Sequence, residues 1–336
     1  MKIQYNNSLL PYNTFGMDVK CKIFAEYSSR EELVEFLQSE MIKENKFFHI
    51  GGGSNLLFTG DYEGVILHSA IRFIEKVHED DSHVWIKAGS GIVWDELCRY
   101  AVDKGWGGME NLSLIPGEVG ATAVQNIGAY GVEVADIIES VDTIEIATGE
   151  QRVFNAEECQ YGYRSSIFKN ALKGQYIVVS VTYKLDKHIT LKLNYGNLMQ
   201  ELAGQEPITP AKVRSAVIAV RESKLPDPAI TGNAGSFFMN PVISERKFTA
   251  LQTLYPGMPH YPVDEDTVKV PAGWLIEQCG WKGKEWGGAA VHEKQCLVLI
   301  NKHHAKASDV QGLAEAICKS VFDKFGIEIH PEVNYI

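Results

Sequence analysis

The chain has 336 residues, 45% of them apolar and 22% charged, with a formal net charge of −11. Such a length supports two or three globular domains, each with its own buried core. The acidic balance, without any Lys/Arg run, argues against nucleic acid as a partner, and no apolar run approaches the ~18 residues of a membrane span. The six cysteines stand far apart with no CxxC pair, which reads as free thiols in a reducing cytosol. The N-terminal "MKIQYNNSLL" lacks the apolar core of a signal peptide, so a cytoplasmic protein is expected. Zinc-ligand spacing is absent and no metal is expected.

In chain order, residues 29–44 predict one helix. Ser29 and Glu32 have capping-box spacing, and Leu33, Phe36, Leu37 and Met41 share a face. "FFHIGGGSNLLF" runs a short apolar strand into three glycines. "HVWIKAGSG" (83–91) repeats that pattern, and a helix over 93–105 follows, with Gly105 as its stop. Residues 140–154 predict two strands joined around Gly149, and 175–185 another strand. Residues 209–224 predict a helix with Thr209 as cap and Pro210 at its first position. "KLPDPAITGNAGSFFMNP" (224–241) is rich in Pro, Gly and Asn and reads as a domain junction or an active-site loop. "CLVLINK" predicts a strand, and 308–324 a helix capped by Ser308 with Gln311 in the box position. Strands and helices mix without strict βαβ alternation, which favours an α+β fold over a doubly wound parallel sheet.

Two glycine-bearing stretches carry the chemistry. "GGGSN" (51–55) is not a Rossmann fingerprint, because Leu56 stands where the third glycine belongs. It is not a Walker A loop either, because no Gly-Lys-Ser/Thr follows. Consecutive glycines let successive amides converge on an anion; a plain turn after a strand is the alternative. "IPGEVGATAVQNIGAYG" (115–131) spaces Gly117, Gly120, Gly128 and Gly131 so that a flat or charged ligand could touch main chain. Ala121, Ala123 and Ala129 keep it shallow, and Gln125 and Asn126 could read a heteroaromatic edge. A tightly packed turn–helix–turn is the competing reading. Two such loops, both after strands, tip the balance toward a dinucleotide cofactor.

These stretches, with "YGYRSSIFK" (161–169), "SKLPDP" (223–228), "GNAGSFFMNP" (232–241) and "HPEVNYI" (330–336), closely resemble the UDP-N-acetylenolpyruvoylglucosamine reductase family from "NTFG" (13–16) to the C-terminus. The resemblance implies a two-subdomain FAD-binding fold of the vanillyl-alcohol-oxidase type plus a C-terminal α+β substrate-binding domain. Its implied boundaries are 1–70 and 71–222 for the FAD-binding subdomains, 223–325 for the substrate domain, and 326–336 for a tail returning to the active site. "MPHYP" (258–262) resembles the tyrosine-bearing loop of the longer subtype.

The implied cofactor is FAD, with NADPH as reducing co-substrate and a UDP-sugar as the small-molecule partner, in a monomer. Gly51, Gly52, Gly53, Ser54, Asn55 and Leu56 would contact FAD, as would Pro116, Gly117, Gly120, Ala121, Thr122, Gln125, Asn126, Gly128, Ala129, Tyr130 and Gly131. The implied catalytic residues are Arg164, Ser236 and Glu332. A guanidinium matches a carboxylate bidentately and keeps its charge. A serine can donate a proton where neighbours and a dry site activate it. A carboxylate beside a developing enolate is useful if protonated or paired with Arg. Tyr195, Lys224, Asn240, Tyr261 and Gln295 match substrate-contact positions. Trp274, Trp281 and Trp286 read as packing, and the segment 280–287 has no assigned role. The alternatives are another flavin oxidase of the same fold, for which His49 is the one residue near the glycines able to anchor a flavin, and a non-catalytic flavin-binding module.

Overall fold

The computed structural model describes residues 1–194 and 198–336. The chain forms two compact units. The first holds Met1–Asn7, Cys21–Gly52 and Glu63–Ser223, and the second holds Ser8–Lys20, Gly53–Tyr62 and Lys224–Ile336. The sequence reading kept 1–70 in one piece; the structure assigns 8–20 and 53–62 to the second unit. The reason is a set of long-range hydrogen bonds. Thr14 and Asn233 exchange bonds (Asn233 N to Thr14 O, 2.9 Å; Thr14 Oγ1 to Asn233 O, 2.7 Å), and Asn301 Nδ2 donates to Phe15 O at 3.1 Å. Local pattern does not reveal such partners.

In the first unit a four-stranded sheet has the order Lys2–Ser8, Lys20–Tyr27, Tyr62–Ser69, Phe47–Ile50. The last two strands run parallel, with Ile50 opposite His68. The helix Arg30–Leu37 buries Leu33, Phe36 and Leu37 in the same core as Ile23, Ala25, Val65 and Leu67. Fully burying side chains of this size contributes roughly 1.5–3 kcal/mol each. Ser29 Oγ accepts from Glu32 N as predicted, but Glu32 reaches back to Ser28 rather than to Ser29. The single helix predicted over 29–44 is in fact two, Arg30–Leu37 and Glu40–Glu44. Ser39 interrupts it: its backbone is extended and its hydroxyl bonds Phe36 O at 2.6 Å, a local competitor to the helical ladder.

A five-stranded sheet follows in the order Gln151–Asn155, Ile138–Glu145, Tyr176–Asp186, His83–Gly89, Ile74–Glu79. Each neighbouring pair is antiparallel, as an α+β arrangement requires and a doubly wound sheet does not. The helix Trp94–Asp103 turns Trp94, Leu97, Cys98 and Ala101 into this core, where Trp94 Nε1 donates to Leu112 O at 2.8 Å. The short helix Val119–Gln125 shares that core through Val119 and Ala123. Thr122 Oγ1 meets Tyr183 Oη at 3.0 Å, which fixes the roll of this helix on the sheet.

The second unit packs two three-stranded sheets and the helix Ala307–Phe325 around Phe15, Phe237, Phe238, Leu275, Ile276, Leu313 and Ile317. This helix starts one residue earlier than predicted. Asp309, not Gln311, accepts the N-cap N–H, and that N-cap is Lys306, not Ser308. The unassigned segment 280–287 holds the strand Glu285–Trp286 at the edge of its sheet, with Trp286 beside Gly312 of the long helix.

Candidate active site

In the first unit the two glycine-bearing segments meet. A Cβ built on Gly51 would stand 3.4 Å from both Ala121 Cβ and Glu118 Oε2, and one on Gly52 would stand 3.4 Å from Gly117 Cα. Those are ordinary contact distances, and neither residue has a left-handed backbone. Protein packing therefore does not demand glycine at either place. Gly53 and Gly128 are different. Gly53 has φ +63° and its Cβ would collide with Tyr12 O at 2.0 Å; a Cβ on Gly128 would press Arg164 Nη1 at 2.9 Å.

Main-chain bonds fix the path of residues 115–131. Trp94 N donates to Gly117 O at 3.0 Å, Val119 N to Ile92 O at 2.9 Å, and Gly120 N to Ser90 O at 3.0 Å. Upstream, Leu114 (φ +58°) donates its N–H to Asp95 Oδ1 at 2.6 Å, and Asp95 is gripped by both terminal nitrogens of Arg214, each at 2.6 Å. Burial raises the Asp95 pKa, but the Arg214 bonds outweigh it and hold the carboxyl below its usual range. Downstream, Asn111 Nδ2 donates to Tyr130 O at 3.0 Å, where Tyr130 has φ +50°.

Asn126 corrects one expectation. It ends the helix in the left-handed region, and its buried side chain bonds Glu133 Oε2 at 2.7 Å, Gly162 O at 2.8 Å and Ala135 N at 3.1 Å. It is occupied inside the protein and does not present a polar edge to a ring. Thr122, only 2% exposed, is likewise bonded inward, to Val119 O and Tyr183. Any contact from these two residues is through main chain. Gln125 Oε1 accepts from Lys169 Nζ at 3.1 Å.

Arg164 lies in the same unit, at φ +54°. It donates to Asn126 O at 3.2 Å and Gly128 O at 2.7 Å, and its guanidinium sits 5.4 Å from the Tyr163 ring. The carbonyls of the glycine segment thus orient the cation. His49 is half-buried, with Nε2 2.9 Å from Tyr27 Oη.

The second unit brings the segments that hold Ser236 and Glu332 side by side through main-chain bonds and one isolated bridge. Glu332 N donates to Phe237 O at 2.8 Å, Phe238 bridges Pro331 in antiparallel fashion, and Met239 N bonds His330 O at 3.0 Å. Asn55 joins the same place. Its Nδ2 donates to Glu332 O at 3.3 Å, and Leu56–Leu57 pairs in parallel with Asn334–Tyr335. The C-terminal tail is thus part of a ladder. Among the substrate-contact candidates, Asn240 Oδ1 accepts from Ala272 N at 2.9 Å and Gln295 Oε1 from Leu297 N at 3.3 Å. Tyr261 is 46% exposed in a strand paired with Thr267–Lys269, and Lys224 is exposed at its helix end. Tyr195 lies outside the described residues. Sequence reasoning missed Asp95, Arg214, His68, Glu118 and Lys169. Lys169 could have been found, because it ends the "YGYRSSIFK" stretch.

A family model described as an FAD binding domain matches residues 21–155, which contain both glycine segments. A Cβ at Gly51 or Gly52 would meet protein only at ordinary contact distance, so packing does not account for the glycines there, and main-chain contact with a cofactor fits them. A crystal structure of UDP-N-acetylenolpyruvylglucosamine reductase from Thermus caldophilus shares the fold with a TM-score of 0.69 and 22% identity, over 99% of this chain and 98% of that one. One of p-cresol methylhydroxylase shares it at 0.50 and 10%, over 98% and 84%. The fold is therefore that of the two-domain FAD-binding proteins. A second family model, "UDP-N-acetylenolpyruvoylglucosamine reductase, C-terminal domain", matches residues 227–336. The UDP-N-acetylenolpyruvoylglucosamine reductase of Bacteroides fragilis is 53% identical over 98% of each chain, and that of Porphyromonas gingivalis 47% over 100% of each. The chain belongs to the UDP-N-acetylenolpyruvoylglucosamine reductase family.

Proposed function

We infer that this protein reduces UDP-N-acetylglucosamine enolpyruvate to UDP-N-acetylmuramate, with FAD as prosthetic group and NADPH as reductant. Full-length membership of the family carries this reading. FAD, when bound, supplies the hydride acceptor for NADPH and the hydride donor for the enolpyruvyl β-carbon. The chain's own residues do the rest. The main chain at Gly51, Gly52 and Gly117 would hold the FAD diphosphate. Arg164 binds the substrate carboxylate, where negative charge grows as an enolate forms; two bonds to main-chain carbonyls fix its direction beforehand. Ser236 Oγ delivers the proton to the α-carbon. Glu332, held by its main-chain bond to Phe237 O, helps polarise the enolpyruvyl group. Lys224, Asn240, Tyr261 and Gln295 contact the nucleotide-sugar portion, with Tyr261 over the diphosphate as in the longer subtype. The protein acts as a cytoplasmic monomer.

The reading is tested by its half-reactions. Purified protein should be yellow, bleach with NADPH, and recover its colour when the enolpyruvyl sugar nucleotide is added without oxygen. Recovery only with oxygen would point to an oxidase instead, and a colourless protein that takes up no FAD would point away from flavin chemistry.

A further inference from the structure

The strand Tyr62–Ser69 carries a buried histidine that the reading above does not use. His68 is 9% exposed. Its Nδ1 lies 3.0 Å from Glu26 Oε2, and its Nε2 lies 3.1 Å from Glu118 Oε1. A neutral imidazole has one N–H and can donate to only one of these carboxylates. The other nitrogen would then meet a carboxylate lone pair to lone pair. The imidazolium satisfies both contacts at once.

Two titratable neighbours, His49 and Tyr27, stay neutral. Phe24 stacks on His68 with ring centroids 6.1 Å apart. His49 is bonded to the Tyr27 hydroxyl; burial first, then the charge on His68, pushes its pKa down to about 3, so it stays neutral. Burial raises the Tyr27 phenol, which stays neutral too. For His68 itself burial opposes the charge, but the bonds and charges of Glu118 and then Glu26 outweigh it, and its pKa is raised.

Glu118 has a second feature. Its Oε2 is buried without a hydrogen-bond partner among the described residues, 3.4 Å from where a Cβ of Gly51 would stand. A carboxylate therefore lies directly beside the Gly51–Gly52 main chain. Uncompensated, it would repel a diphosphate laid over these residues.

We propose that His68 is a positioning residue of the cofactor cradle: as an imidazolium shared by Glu26 and Glu118, it holds the Glu118 carboxylate under Gly51 and neutralises it, which makes binding of a dinucleotide's diphosphate proton-dependent. The inference rests on the flavin reading above. The raised folded value sets the sign. The clamp is complete below the ordinary imidazole value of about 6.5 and is lost as pH rises through the raised value.

The test uses deflavinated full-length protein titrated with FAD, read by fluorescence quenching between pH 6 and pH 10 at fixed ionic strength. The wild-type Kd is expected to rise on the alkaline side, by at most about tenfold per pH unit for one coupled proton. His68→Gln should bind about tenfold or more weakly at pH 7, with a flat profile, since its neutral amide leaves one carboxylate uncompensated. Glu118→Gln removes the anion and should bind FAD more tightly than wild type at pH 10, an outcome that loss of packing would not produce. Tight binding with a flat wild-type profile, or a His68→Gln profile parallel to wild type, would overturn the proposal while leaving the flavin reading standing. No FAD binding at any pH would overturn both. If His68→Gln does not fold, imidazole nitrogen NMR of the wild type decides: both ring nitrogens protonated at pH 7.5 supports the clamp, and a single neutral tautomer refutes it.

Discussion

Asp95→Ala removes the anchor of the flavin-side segment, and its effect can be worked from geometry. Asp95 accepts two N–H groups of Arg214 and one of Leu114, all at 2.6 Å. The side chains are 26% and 13% exposed, so the pair is partly shielded from water. Breaking a fully buried pair costs about 3–5 kcal/mol, because the surviving charge loses its partner; an exposed pair contributes about 0–1 kcal/mol. This pair lies between those limits and nearer the buried one. The orphaned Leu114 N–H adds about 1 kcal/mol. The expected loss is about 2–4 kcal/mol in urea unfolding of the apo-protein, with weaker FAD binding because Leu114 leads directly into 115–131. Asp95→Asn retains an acceptor for Leu114 and should lose about half as much. The pH dependence has a definite sign. A carboxyl held below its usual range contributes stability that is present above about pH 4 and fades as pH falls through the lowered value. Wild type and Asp95→Ala should therefore converge in acid. A loss under about 0.5 kcal/mol at pH 7 would refute the reasoning, since it would place the pair with ordinary surface ion pairs.

Three other changes separate cofactor, substrate and folding roles. Gly51→Ala and Gly52→Ala should keep wild-type stability, because their Cβ atoms meet only ordinary contacts, yet raise the FAD Kd by about tenfold or more; Gly53→Ala should instead lower the melting temperature markedly, from its collision with Tyr12 O. Gly128→Ala pushes on Arg164 Nη1 and should raise KM for the enolpyruvyl substrate, with flavin content intact by absorbance. Ser236→Ala should leave flavin reduction by NADPH near wild type and slow stopped-flow reoxidation by substrate about 10²–10⁴-fold. Ser236→Cys, which keeps a donor, should recover part of that rate; equal slowing of both half-reactions by Ser236→Ala would remove Ser236 from the proton-donor role.

Where the cause of an element is local, the sequence reading matched the structure. Thr209 and Pro210 announce the helix that runs to Lys224, Gly149 turns the hairpin between Ile138–Glu145 and Gln151–Asn155, and the β-branched run at 176–186 is a central strand. Misreadings came where a nearby group competed with the expected one. Ser39 broke a periodic helix, and Asp309 displaced Gln311 as the capping acceptor. In the site, the glycine spacing singled out two stretches that the fold brings together. It could not say which glycines face protein and which lie open, because that depends on what crosses them from elsewhere in the chain.

The amino-acid order alone therefore determined the mixed α+β class, most element positions and, through several stretches in the right order, the family. Tertiary structure decided what each polar group does. Asn126 looks like a ligand reader in one dimension, but folding surrounds it with Glu133, Gly162 and Ala135. Glu26, His68 and Glu118 look unrelated, but three separate segments bring them within hydrogen-bond reach of one another. Caps, turns and periodicity act over a few residues and can be read along the chain. Charge pairing and close backbone approach depend on distances between remote segments, which only the folded chain sets.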